Sequence, residues 1–417
     1  MNTEQSRARA AGQSHSRLEV AEVVSDAQFL PLEREWNELV CQARPRSIFF
    51  RHEWFASAWA WRRLDSRLHL LIARRGHSLV GVLPLVCRVE PRWRAVEYEL
   101  LTVPDTQVAD LLCAPDNIDE VTNAFASTLG DDKRWDTLRL DFLPPNGACV
   151  NSFAHALRRH DFEVVARDGG RNFFVGLSGA WGDYYDTRSR RLKKAMNLAA
   201  NRLRKLGDVR IDRLSSDHCD DSMLEAALET SIAISSRSWK RATGNSLDQA
   251  GPQGFIRSLS RQALKRDWLA IWLLRVGGKP LAMEYELMFE GNVHALRADY
   301  VADCVKISPG AHLFRHLLER LFGTGLARYY LGRGENAYKM RWADEGDALQ
   351  QVVAYNRTAN GRLEWLRAEV VKPALRRTRD ALWTNVKETT QTDEKTSNRI
   401  KPPDHIHQST SSDDPGK

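Results

Sequence analysis

Between Trp268 and Tyr338 the hydrophobic period of the chain changes twice, and that order of elements restricts the fold more than any other feature. Three apolar runs come first, DWLAIWLLRV, KPLAMEYELMFE and NVHALRADYV, divided by Gly277-Gly278 and Glu290-Gly291. Two-residue breaks bearing glycine favour hairpins, so the runs are predicted to form a meander. After Tyr300 the segment VADCVKI leads to Ser308-Pro309-Gly310, and Leu313, Phe314, Leu317, Leu318 and Leu321 then recur at helical spacing. Ser308 is the expected N-cap, and Pro309 suits the first helical position. ARYYLG supplies a further strand, which makes the helix a right-handed crossover between two neighbouring parallel strands. Its N-terminus would then lie beside a strand end, with unbonded N–H groups and a positive dipole end that suit an anionic phosphate.

The 417 residues are long for one domain and comfortable for two. SRLEVAEVV reads as a strand, DAQFLPLEREWNELVCQA and HEWFASAWAWRR as helices, and RLHLLIARR with SLVGVLPLVCRV as a hairpin split at Gly76-His77. VEYELLTV and ADLLCAP add strands, NIDEVTNAFASTLG a helix, DTLRLDFLP a strand, NSFAHALRRH a helix and DFEVVARD a strand. The second half repeats this order coarsely, as a duplicated α/β unit would. The predicted class is α/β (α+β), with mixed, mostly antiparallel sheets and flanking helices. Units are expected over 17–168 and 169–357, a C-terminal basic helix interrupted at Pro373 over 358–386, and polar disordered ends over 1–16 and 387–417. The first unit has no Ser-Pro-Gly turn where the second has one, so it is expected to be supporting or acceptor-facing.

The formal net charge of +7 suits anionic partners without choosing among CoA, nucleotide-sugars, acyl carrier protein, RNA and lipid head groups. The charge gathers on a helix expected over 186–206, where Leu192, Ala195, Ala199, Leu203 and Leu206 would face inward. Its basic side is either a solvated face or a surface for an anionic substrate or membrane, and no motif of specific nucleic-acid recognition accompanies it. No stretch has the apolar length of a membrane span and the N-terminus has no secretory core, so a cytoplasmic protein is expected, with peripheral contact to the inner face of a membrane as a variant. Six scattered cysteines without Cys-x2-Cys spacing read as buried free thiols, and no metal is expected.

ALRADYVADCVKISPGAHLFRHLLE followed by YYLGRGENAYKMRWAD resembles the GNAT-type acyltransferase fold. Within that fold it resembles the BioF2-like, CelD-like branch related to the FemAB double-GNAT proteins of envelope, cellulose and exopolysaccharide biosynthesis. HEWFASAWAW and WGDYYDTRSRRLKKAMNLAANRLRKLG extend the resemblance over most of the chain. The family's usual phosphate loop, a glutamine or arginine followed by spaced glycines, is missing. The resemblance implies tandem GNAT-like units, the first with a degenerate donor site, and an acetyl-CoA or other acyl-CoA co-substrate. It places donor binding at Tyr300, Val301, Ser308, Pro309, Gly310, Gly332, Arg333 and Gly334, with a backbone N–H near Asp299 to Val301 holding the carbonyl oxygen as it gains charge.

Acyl transfer needs a base for the nucleophile and an acid for the leaving thiolate. Glu284 and Glu286 alternate onto one face of their strand, and Arg297 and Asp299 onto one face of the next. Counting outward from a two-residue turn at Glu290-Gly291 sets Glu284 opposite Arg297 and predicts a cross-strand ion pair. Four charged groups in a half-buried sheet point to a cleft, and a solvated outer face is the alternative. Asp299 is the first choice of general base and Glu284 the second. Tyr338 is the candidate acid, or else a hydrogen-bonded core tyrosine. Arg297, Glu286, Trp239 and Lys339 are the candidate acceptor-binding residues, with Trp54 a further site candidate, while His294 and His312 are more simply structural. The expected reaction is direct transfer, in a ternary complex, to an amine or hydroxyl of a sugar or envelope precursor. An aminoacyl-tRNA or acyl carrier protein donor is the second reading, and a non-catalytic accessory of polysaccharide synthesis the third.

Overall fold

The computed structural model describes residues 17–43, 47–89, 95–343 and 345–374. The expected tails over 1–16 and 387–417 lie outside them. Residues up to Arg362 form one compact unit, and those from Leu363 are assigned to a second.

The first half opens with β1 (Leu18–Val23), α1 (Glu33–Ala43) and α2 (His52–Arg62). Pro31 confines the residues before α1 to a short turn and a 3-10 turn, so the single helix expected there is divided. Strands β2 (Arg67–Leu68), β3 (Leu70–Arg75), β4 (Ser78–Leu83), β5 (Leu85–Val89), β6 (Val96–Leu100) and β7 (Leu112–Cys113) follow. Next come α3 (Ile118–Asp131), β8 (Thr137–Leu143), α4 (Ala154–Arg159) and β9 (Glu163–Gly176). In the second half α5 (Trp181–Thr187), α6 (Arg190–Leu206), β10 (Val209–Ser215), α7 (Asp221–Ser236) and α8 (Ala250–Leu264) precede the meander β11 (Leu269–Val276), β12 (Lys279–Phe289) and β13 (Asn292–Tyr300). Crossover helix α9 (Pro309–Leu321) leads to β14 (Arg328–Arg333) and β15 (Glu345–Tyr355), and α10 (Ala359–Trp365) begins the C-terminal helical stretch.

The meander and crossover lie where the hydrophobic period puts them. Glu290 and Gly291 both adopt positive φ (46° and 75°), the geometry of a tight two-residue hairpin turn. α9 buries Leu313, Phe314, Leu317, Leu318 and Leu321 against the sheet. Each such side chain contributes about 1.5–3 kcal/mol when fully buried. On α6 the buried stripe is Leu192, Met196, Ala199 and Leu203. Ala195 and Leu206, expected inward, are exposed, because the stripe turns with the 3.6-residue period. Past Leu363 a widened turn over Leu366–Val371 precedes a helical Pro373, and residues 375–386 of the expected basic helix lie outside the described residues. Of the six cysteines, all free, Cys113 and Cys149 are buried and Cys41 is exposed.

Two sheets hold the strands. One has the order β1-β3-β4-β7 and the other β10-β11-β12-β13-β14-β9-β15-β8-β6-β5-β2. Pro84, which has no N–H to offer a ladder, separates β4 in the small sheet from β5 in the large one. The last strands of the halves are exchanged. β9 leaves the first half to pair with β14, Val175 facing Tyr329, and β15 leaves the second to lie between β9 and β8. The boundary expected between residues 168 and 169 therefore falls inside β9.

Candidate active site

The parallel pairing of β13 with β14 joins Asn292 to Arg328, Val293 to Tyr329 and His294 to Tyr330, and stops there. Beyond His294 the strands diverge around a cavity of about 790 Å³. Ala295 to Tyr300 of β13 and Leu331 to Arg333 of β14 line it, with the start of α9, the Trp239-Lys240 turn and residues 104–107 of the first half.

A β-bulge decides which side chains enter. Ala295 faces Glu286 while Arg297 faces Tyr285, so Leu296 is an extra residue on β13. Counting from the hairpin turn therefore fails by one beyond it: Glu284 faces Ala298, and the expected Glu284–Arg297 ion pair does not form. Arg297 instead donates through Nη2 to Asp105 Oδ2 at 2.6 Å, and through Nη1 to the Asn245 carbonyl and Oδ1 at 2.8 and 3.0 Å. Burial still pushes the Asp105 carboxyl upward, against the pull of Arg297. Lys240 Nζ stands 2.8 Å from Asp299 Oδ1, and Ser235 Oγ donates to Oδ2 at 2.7 Å. Both Asp299 oxygens are thus engaged.

Glu284 is placed differently. Its carboxyl lines the cavity and is buried, with no hydrogen-bond partner for Oε2. Burial, reinforced by the neighbouring Glu286 carboxylate, holds its pKa well above the usual range, while Lys240 opposes. Burial and the Glu284 charge likewise raise the Tyr338 phenol, whose ring packs edge-on against Phe314 at 5.5 Å. Glu286 does not line the cavity. Trp272 Nε1 and Tyr329 OH donate to its two oxygens at 3.0 and 2.7 Å, and burial raises it to about 7.

At the start of α9, Ser308 takes the N-cap position in the left-handed region (φ 56°, ψ 50°), and its hydroxyl donates to Val305 O at 3.4 Å. The expected side-chain cap is not made, which leaves first-turn N–H groups for a ligand. A Cβ on Gly310 would lie 3.2 Å from Tyr300 Cδ1, so glycine lets the helix approach the strand. Arg333 donates to the carbonyls of Thr106 and, at 3.0 Å, Pro104; Lys339 Nζ donates to that of Gly332 at 3.0 Å and to that of Arg333. Burial lowers Arg333 to about 10 and Lys339 to about 8. Trp239 is 57% exposed at the mouth.

The cavity therefore brings together Glu284, Arg297, Asp299, Tyr300, Ser308, Gly310, Gly332, Arg333, Tyr338, Lys339 and Trp239. Val301, Pro309 and Gly334 are adjacent in sequence without lining it, and Trp54 is fully buried core. Sequence reasoning missed Asp105 and Gln107. Gln107 Nε2 donates to Ala295 O at 2.9 Å, replacing a bond lost where the strands part, and its Oε1 lies 3.0 Å from His294 Nδ1. That carbonyl-type oxygen is an acceptor, so His294 Nδ1 carries the proton. Burial lowers His294 to about 3 and keeps it neutral. The available signal was the run of three consecutive polar residues, Asp105, Thr106 and Gln107, between the apolar pairs Leu100-Leu101 and Leu111-Leu112.

Among the described residues Glu22, His69 and Asp132 have ligand atoms within 4.8 Å of one another. Arg134 already bonds both carboxylates and Tyr98 OH bonds Asp132, so the group reads as an ion-pair cluster. No helix among the described residues is long and apolar enough to cross a membrane.

Residues 190–340 match the family described as acetyltransferase (GNAT) domain. No curated protein matches the chain. Among solved structures, FemX is similar over 83% of this chain and 99% of its own, at 10% identity and TM-score 0.52. The C-terminal domain of a proposed lysylphosphatidylglycerol synthetase from Agrobacterium fabrum is similar over 83% and 97%, at 13% identity and TM-score 0.50. A tandem GNAT protein of the clavulanic acid biosynthesis pathway aligns over 81% and 98%, at 12% identity and TM-score 0.45. The chain has the GNAT-type acyltransferase fold, with the GNAT domain match over residues 190–340.

Proposed function

We propose that the cavity between β13 and β14 transfers an acyl group from acetyl-CoA or another acyl-CoA to an amine or hydroxyl, with the second half as the catalytic unit. The observation that carries this is a buried carboxyl with an unpartnered oxygen, Glu284, in a cavity that also receives the open N-terminus of a crossover helix. Donor phosphates meet the free N–H groups at Gly310 and Ala311, and backbone N–H groups of unpaired β13 accept the charge that develops on the carbonyl oxygen. Glu284 takes the proton of the nucleophile, and Tyr338 returns one to the departing thiolate. Asp299 holds Lys240, which donates to Ala298 O at 3.1 Å and so fixes the free edge of β13. Arg333, Lys339 and Trp239 receive the acceptor. A sugar or envelope-precursor acceptor rests on the sequence resemblance to the BioF2-like, CelD-like branch.

A second reading keeps the cavity and takes an aminoacyl-tRNA or acyl carrier protein as donor. It is favoured by the exposed basic face of α6, which is joined to the turn before α9 by Arg202 Nη1 donating to Lys306 O. Calorimetric titration with acetyl-CoA and longer acyl-CoAs, beside a Gly310→Glu variant, separates the two. Saturable binding that the variant loses is expected. Binding only to a charged tRNA or carrier protein would move the assignment to the second reading, and binding to none of them would leave a non-catalytic accessory.

A further inference from the structure

On the side of α9 that faces α6, a separate cleft of about 270 Å³ lies between three elements. α6 contributes Ala200 and Arg204, β10 contributes Val209 and Ile211, and α9 contributes His312, His316 and Arg320. Every polar group in this lining is a cation or an imidazole, and the remainder is aliphatic. Arg204 Nη1 donates to Asn201 Oδ1 at 3.2 Å, a neutral acceptor that leaves its charge uncompensated there. His312 Nδ1 is buried without a hydrogen-bond partner. Like charges and an orphaned ring nitrogen gathered around one cleft are unfavourable in isolation, and an oxyanion with several acceptor atoms would satisfy them together. A water occupies about 30 Å³ in the liquid, so the cleft has room for a tetrahedral oxyanion and part of its hydration.

We propose that this cleft is a phosphate-binding site, taking either free phosphate or the phosphate monoester of a small molecule. Arg204 and Arg320 form the charged rim, and His312 and His316, one helical turn apart, form the floor. The charged groups acting on the two rings are Arg204 from α6, and Arg315, Glu319 and Arg320 on α9; Arg315 and Glu319 are paired with each other at 3.3 Å. Burial, with the neighbouring cations adding to it, lowers His312 to about 4 and lowers His316 as well. At neutral pH both rings are neutral, and a bound anion favours their protonation. By linkage, each unit by which phosphate raises a histidine pKa corresponds to about tenfold tighter binding to the protonated form. Phosphate affinity therefore rises as pH falls.

The test is histidine NMR on the full chain, titrated with inorganic phosphate against chloride at equal ionic strength. Resonances are assigned with His312→Asn and His316→Asn. The expected result is an upward pKa shift of about one unit or more in both rings on saturation. An Arg204→Ala/Arg320→Ala variant that retains its fold should lose it. Unchanged pKa values, an equal shift in chloride, or a shift that survives in the double variant would overturn the site. A response to CoA that 3′-dephospho-CoA lacks assigns the phosphate to the nucleotide, and a response to inorganic phosphate alone assigns free phosphate. Gly310→Glu lies outside this cleft and leaves the phosphate response in place, so this site and the proposed donor site fail separately.

Discussion

The two halves carry the same local plan, a parallel strand pair joined through a helix, and diverge where that helix begins. In the first half β6 faces β8 through Glu97–Thr137, Tyr98–Leu138 and Glu99–Arg139, with α3 as the crossover. The first turn of α3 carries Asp119 and Glu120, so its own carboxylates answer the positive dipole end. The first turn of α9 has no acidic residue and no side-chain cap. Glu97 and Glu99 are paired with Arg139 and Arg62, whereas Glu284 has a carboxyl oxygen without a partner. The connection leaving β6 runs away from its own helix and brings Asp105 and Gln107 into the other half's cavity. Similar topology thus yields an uncapped helix start beside a cavity in one half and a carboxylate-bearing one in the other.

The largest expected break in that contrast is Glu284→Gln. Loss of a general base should lower kcat by about 10²–10⁴ with little change in donor affinity, read by steady-state kinetics. The same variant should be more stable at neutral pH. A carboxyl whose folded pKa lies above its unfolded value binds extra protons in the folded state, so stability falls as pH rises through that window. Glutamine does not titrate, and denaturant melts across pH should show the slope reduced. Kinetics unchanged in Glu284→Gln would remove the carboxyl from the mechanism.

Asp105→Ala comes next. It leaves Arg297, which is 1% exposed, buried without its carboxylate, and a broken buried pair costs about 3–5 kcal/mol. Chemical denaturation should report that loss, and a change below 1 kcal/mol, the range of an exposed pair, would mean that water reaches the guanidinium. A smaller effect attaches to Lys339. With its pKa lowered to about 8, its charge is lost as pH rises through that value, so KM for an anionic substrate should climb above pH 8 and be flat there in Lys339→Gln. The smallest is Asp119→Asn/Glu120→Gln in α3. It should cost about 0.3–1 kcal/mol in stability and leave acyl transfer unchanged, and a rate change would assign the first half a donor role of its own.

Much of the second half was legible because its signals are local. Apolar alternation, the two glycine-bearing turns and the leucine spacing of 313–321 each act within a few residues, and β11, β12, β13 and α9 follow them. Tyr338, Glu284 and Gly310 could be nominated on that basis and share one cavity. The bulge at Leu296 was not legible, since an extra residue leaves the apolar pattern nearly intact while exchanging the faces beyond it. Asp105 and Gln107 were missed because their partners lie almost two hundred residues away, at Arg297 and Ala295.

The sequence by itself determined the elements, the hairpin turns and the crossover helix, all consequences of backbone preference and hydrophobic period. Only the tertiary structure decided that β9 and β15 exchange places between the halves, that Pro84 parts two sheets, and that Arg297 pairs with Asp105 rather than Glu284. Those outcomes depend on which buried donors and charges find partners once distant segments pack, and no local pattern encodes that choice.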